Sequence, residues 1–249
     1  MLKTIKFTIL PTIWVDVKGL RMSFMQYLML VVIFPLSYLI INTSGGTSNH
    51  LYNVTGMLIS MLMSLFINMQ ATLVASSNNV TIIETYSVYK VKPLMVFLSQ
   101  CLLHFLMSIG IFIVSEIILV SYGVRPQIIK LIVWLIIAFV FLHAVSVALG
   151  SVLKNPNMAG AIINLLYMIL VMITPLYSST EGISTTGRIF YLLNPFSHLI
   201  SLLYWSNDMK PLCSFWISIL ILALLTIVLD IFTYKRWNNA HAIEKLTLL

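Results

Sequence analysis

The sequence predicts an all-α integral membrane protein with six transmembrane helices, an N-terminal amphipathic interfacial helix and short re-entrant helices before the last span. Three observations predict it. Of 249 residues, 60% are hydrophobic and 8% charged, whereas a soluble domain carries about a quarter charged residues. The mean hydropathy is +1.01, which leaves too little polar material to cover a water-facing surface. Several apolar runs approach the roughly 20 residues that cross a bilayer as a helix, the form in which backbone groups satisfy one another without water.

From the N-terminus, Ile5, Ile9, Ile13, Val17 and Leu20 recur at helical spacing beside Lys6, Lys18 and Arg21. That pattern predicts a helix over 1–22 lying on the membrane surface, with Trp14 as interfacial anchor. Pro11, which lacks an N–H, suits the first turn of its better-formed part. Charges spread through the first 21 residues argue against a cleavable signal peptide. A membrane domain then fills 23–249, with spans expected at 24–41, 57–74, 94–120, 128–152, 158–177 and 215–234. Turn-forming residues mark the breaks: 42–53 is rich in Ser, Thr, Gly and Asn, 122–126 holds Gly123 and Pro126, and Asn155-Pro156 precedes the fifth span. Within 178–214, the residues Ile189 to Trp205 are too apolar for a solvated loop and predict one or two short helices dipping into the outer leaflet.

With both termini in the cytoplasm, ten of the 14 Lys and Arg fall inside, leaving Arg125, Lys130, Arg188 and Lys210 outside. This is the bias that orients membrane proteins. It also accounts for the net charge of +7 without nucleic acid, for which no basic stripe or aromatic platform is present. Cys101 and Cys213 are far apart and lack further Cys or His at metal-ligand spacing, so both read as packing residues and no metal site is expected.

No G-x-S-x-G, H-E-x-x-H or Walker phosphate loop occurs, and no catalytic residues are assigned. His104, His143 and His198 stand singly on different elements. Glu116 and Asp230 sit within or near the ends of spans, where an ionised group needs a partner, water or headgroups. Either they line a polar path, or Glu116 reaches the outer interface and Asp230 pairs with Lys235 and Arg236. Met57, Met61 and Met63 with Met168 and Met172 suit either an adaptable substrate-facing surface or ordinary packing. Ala144, Ala148, Ser151, Gly160 and Ala161 would let helices approach closely.

The segment 77–93 is too long for a tight turn. Ile82, Ile83, Tyr86 and Tyr89 make one apolar and aromatic helical face, with Glu84, Lys90 and Lys92 around it. Such a helix either docks in a partner's groove or rests on headgroups.

In order along the chain, the amphipathic N-terminal helix, Pro35 in IFPLSYLI, ETYSVYKVKPLMVFLSQ with Glu84 and Pro93, SVLKNPNMAGAIINLLYMILVMITPLY and LLNPFSHLISLLYW resemble the type-2 ABC-transporter permeases over nearly the whole chain. The resemblance implies a homodimer or a pair with a related permease in a bacterial cell membrane. Two separate ATP-binding subunits, which would bind ATP and Mg, would dock on 77–93, with coupling through Ile82, Ile83, Glu84, Thr85, Tyr86 and Tyr89. It also implies an outer rim or path at Glu116, Asn194, Pro195, Phe196 and His198. The short chain is most similar to the membrane subunit of phenol-soluble-modulin exporters, which expel amphipathic cytolytic peptides. Exporters of drugs, lantibiotics, lipids or polysaccharide share that scaffold, and an ion-coupled secondary transporter is the alternative from another class.

Overall fold

The computed structural model describes residues 50–77, 93–153, 156–176 and 184–247, together with Met25, Leu28 and Ile33. The expected surface helix over 1–22 and nearly all of the expected span 24–41 lie outside these residues. The described elements are helical throughout: α1 (His50–Met63), a π-helical segment (Ser64–Gln70), α2 (Ala71–Ser77), α3 (Pro93–Ser121), α4 (Ile128–Val152), α5 (Pro156–Ile173), α6 (Thr185–Leu193), α7 (Pro195–Ser206) and α8 (Phe215–Thr247).

Among the described residues, four helical stretches are long and apolar enough to cross a membrane: Leu51–Ser76, Leu98–Ser121, Ile128–Val152 and Phe215–Arg236. They coincide with the expected second, third, fourth and sixth spans. The boundaries differ for local reasons. α1 begins at His50 rather than 57, because the polar Asn53 and Thr55 are accommodated inside the helix; the Thr55 hydroxyl donates to the Leu51 and Tyr52 carbonyls at 3.0 Å. α5 stops at Ile173 rather than 177, since Pro175 disfavours helical geometry at the residue before it. At 18 residues it spans about 27 Å. α8 continues past 234 to Thr247 because neither Gly nor Pro interrupts the sequence there.

Three prolines open helices where the missing N–H costs nothing, Pro93 at α3, Pro156 at α5 and Pro195 at α7. Between α3 and α4 the chain turns at Gly123, whose φ of +87° only a residue without a Cβ adopts freely.

The run α1–π–α2 is the inner helix, 78% buried along its apolar window, whereas α8 is 17% buried and peripheral. α4 joins the bundle together, packing on the π segment, α2, α7 and α8. Its Trp134 donates from Nε1 to the Leu199 carbonyl of α7 at 2.9 Å and stacks on Phe112 of α3. The methionines do not form one surface: Met57, Met61 and Met63 are buried in the core, whereas Met168 and Met172 point outward on α5.

Candidate functional site

Asn194 ends α6 and starts α7. Its Oδ1 accepts the Phe196 N–H at 3.0 Å, and Pro195 takes the first helical position, the arrangement that best satisfies a helix start. The Asn194 amide also donates to Thr174 Oγ1 at 2.8 Å, pinning the junction to the end of α5. Phe196 is buried and meets Phe141, midway along α4, edge to face at 5.7 Å. His198 is buried as well: its Nε2 lies 2.9 Å from the Leu192 carbonyl. A carbonyl only accepts, so Nε2 carries the proton and Nδ1 of the neutral ring is an acceptor.

Glu116 lies elsewhere. α7 has 12 residues, about 18 Å of helix, and Asn194 to His198 occupy its start while Glu116 interacts with Asn207, just beyond its end. The five residues expected on the path or outer rim thus lie in two groups, one at each end of α7. Glu116 is buried within the protein, 8% exposed, and neither carboxylate oxygen has a hydrogen-bond partner. Asn207 Oδ1 is likewise unpaired, as is the buried Tyr204 hydroxyl. Beside Asn207 opens a cleft of 290 Å³ lined by Leu51, Tyr122, Arg125, Asp208 and Met209 among others.

Asp208 takes a φ of +53° and accepts from Gln127 Nε2 at 2.9 Å and from Lys130 Nζ at 3.4 Å. Lys130 also lies 4.2 Å from the centre of the Trp205 ring. These contacts tie the end of α7 to the start of α4. The expected pairing of Asp230 with Lys235 and Arg236 does not form. Arg236 instead donates to the Ser151 and Val152 carbonyls at 2.6 and 3.2 Å, satisfying the open carbonyls at the end of α4.

Halfway through the bundle, Gln70 at the end of the π segment meets His143 of α4, Nε2 to Nδ1, at 2.6 Å. Ser146 donates to its Oε1 at 2.9 Å. His104 donates from Nδ1 to Gln100 O, leaving Nε2 unpaired against Phe66. A buried polar network of this kind fixes helix register in an apolar medium. Sequence reasoning did not select Gln70; its only signal was to be one of three amides, with Asn53 and Asn68, in a 26-residue apolar run.

Close approach between helices occurs at Gly150. A Cβ there would lie 2.6 Å from Ala71 O and 2.6 Å from Val74 Cβ. Ala144 and Ala148 are buried as expected, but Ala161 is exposed and a Cβ on Gly160 would meet nothing within 4 Å. Gly150 fixes α2 to α4 at the end of the bundle from which 78–92 leaves. The residues expected to couple to a partner, Ile82, Ile83, Glu84, Thr85, Tyr86 and Tyr89, lie outside the described residues, which flank them at Ser77 and Pro93. Among the described residues, no group of three His, Cys, Asp or Glu side chains is placed to hold a metal ion.

The family profile described as ABC-2 type transporter matches residues 6–206, more than half of the chain. No curated protein matches the chain significantly.

Proposed function

The chain belongs to the ABC-2 type transporter family, and from that premise we propose that it is the permease subunit of an ATP-driven exporter, a multi-pass protein of the bacterial cytoplasmic membrane with both termini inside. In this reading it performs no catalysis. Two ATP-binding subunits bind ATP and Mg, dock on 77–93, and move a homodimer or a pair of related permeases.

The observation that carries the coupling step is the contact at Gly150, where a Cβ would stand 2.6 Å from Ala71 O. Movement of the segment holding Glu84, Thr85, Tyr86 and Tyr89 enters α2 and meets no slack before α4. From α4 it reaches α7 through Trp134 and Leu199 and through Phe141 and Phe196. α6 and α7 then form a re-entrant pair turning at Asn194, with Phe196 as the apolar plug and Glu116, Pro195 and His198 along the path or its outer rim.

The substrate is an amphipathic molecule, a cytolytic peptide of the phenol-soluble-modulin kind, with drugs, lantibiotics, lipids or polysaccharide precursors as the alternatives. Support comes from an interior of Met and aromatic side chains in which the ion pair recorded among the described residues, Lys130–Asp208, is at the exposed edge. Such a surface adapts to apolar faces and holds few fixed charges.

The test is co-purification with candidate ATP-binding subunits, with ATPase activity read in lipid for wild type, Glu84→Ala and Tyr86→Ala. Loss of the complex, or of substrate-stimulated hydrolysis in a folded permease, supports the reading. A permease that binds no ATPase overturns it.

One observation favours a second reading: the unpaired, buried Glu116 carboxyl is a group that a proton or cation would satisfy. In an ion-coupled transporter, collapse of the proton gradient stops transport at constant ATP. An ATP-driven exporter continues.

A further inference from the structure

His198 and Cys213 are 15 positions apart in sequence, yet the fold brings Cys213 Sγ to 3.4 Å from His198 Nδ1. Ser218 Oγ stands 2.9 Å from the sulfur and 3.2 Å from the same nitrogen. The Leu192 carbonyl holds the proton on Nε2, so the nitrogen facing the thiol is the basic one. The backbone of Cys213 is fixed too: its N–H donates to Ser201 Oγ, whose hydroxyl returns a bond to the Cys213 carbonyl, both at 3.2 Å. His198 and Ser218 are buried, whereas Cys213 is half-buried on the bend between α7 and α8.

We propose that Cys213 is a reactive thiol with His198 as its base, a modification site for low-molecular-weight disulfides where α7 meets the start of α8. The elements match a nucleophile, a base within hydrogen-bond reach and a third group orienting the base. In the step, the Cys213 proton passes to His198 Nδ1 and the thiolate attacks one sulfur of the disulfide. A new S–S bond forms to Cys213, the original S–S bond breaks, and the released thiolate leaves with its electron pair. Ser218, 2.9 Å from the sulfur, donates to the charged sulfur before attack. Among the described residues no other ionisable group shares the cluster: Ser201 and His198 face the sulfur from α7 and Ser218 from α8, while Arg188 of α6 is held on the neighbouring Leu212 carbonyl at 2.7 Å. Burial alone raises the Cys213 pKa, but hydrogen bonds from His198, Ser218 and Ser201 outweigh it and the thiol lies below its ordinary value. Such a thiol is more reactive near neutral pH.

Cys101, half-buried on α3 and without an imidazole contact, is the internal reference. The full chain in lipid is reacted with dithiodipyridine, and thiopyridone release is followed against pH for Cys101→Ser, Cys213→Ser and Cys101→Ser/His198→Gln. Gln keeps a donor for Leu192 O but removes the base. A tenfold higher thiolate fraction, offset by its lower nucleophilicity, gives about threefold in rate. Cys213 is therefore expected to react at least about threefold faster than Cys101 at neutral pH, with a midpoint below the ordinary thiol value of about 8.5, and to lose both properties in His198→Gln. Should that variant misfold, the pH midpoint in Cys101→Ser decides alone. A midpoint at or above the ordinary value, or a rate unchanged by His198→Gln, overturns the proposal.

Discussion

Gly150 and Ala71 hold two helices in backbone contact: a Cβ on Gly150 would stand 2.6 Å from the Ala71 carbonyl oxygen. The neighbour is main chain, flanked by Val74 Cβ, and neither yields by a rotamer change. Gly150→Ala must push α2 from α4 and is expected to cost about 1–3 kcal/mol, the range for overpacking. Thermal unfolding in detergent checks this. A midpoint equal to wild type shows that the helices separate freely.

The Asn194 side chain makes two kinds of bond, as acceptor for Phe196 N–H and as donor to Thr174 Oγ1. Asn194→Ala loses both, with an expected cost of about 1–2 kcal/mol. Asn194→Asp keeps the cap and loses the donor, so its stability should fall between the two. An Asp variant no better than Ala would remove the cap from the explanation.

Replacing Glu116 by Gln exchanges an unpaired buried carboxyl for an uncharged amide of the same shape. Stability at least equal to wild type is expected, because a buried polar group that lacks a partner is costliest when charged. Glu116→Lys, by contrast, should prevent recovery of folded protein. If Gln were as damaging as Lys, a cationic partner supplied by the assembly would be required.

Asp208 combines a φ of +53° with an exposed ion pair. Its side chain is 57% exposed and that of Lys130 25%, so the charge pair is worth about 0–1 kcal/mol. Backbone conformation should dominate. Asp208→Gly is expected to be nearly neutral and Asp208→Val clearly destabilising, since a β-branched residue resists positive φ. Equal losses in both would assign the effect to the ion pair.

Helix positions were readable because lipid imposes one rule on every span, about 20 apolar residues in a row, and 128–152 was located to the residue. Caps and prolines were readable for the same local reason: Asn194 and Pro195 act within one turn of each other. Relations across the fold were not. The meeting of His198 with Cys213 depends on how α7 packs against α8, and spacing along the chain carries no trace of it. The same is true of Gln70 with His143, separated by 73 positions. Glu116 was singled out as costly, but its burial beside Asn207, beyond the end of α7, depends on packing that spacing along the chain does not carry. Small residues signalled close packing in general, yet only the structure distinguishes Gly150, pressed on a carbonyl, from Gly160, open on its outer side.

The π-helical stretch Ser64–Gln70 lies inside the most buried helix, between α1 and α2. Each residue in an α-helix advances the azimuth by about 100°, so a stretch of different pitch sets a phase offset between the two rods it joins. α2 is thereby indexed independently of α1, with Gln70 turned to His143 at the point of the offset. Converting those turns to α pitch would twist α2, and the chain leaving it at Ser77, about the common axis. The helix is geared for torsion as well as for thrust.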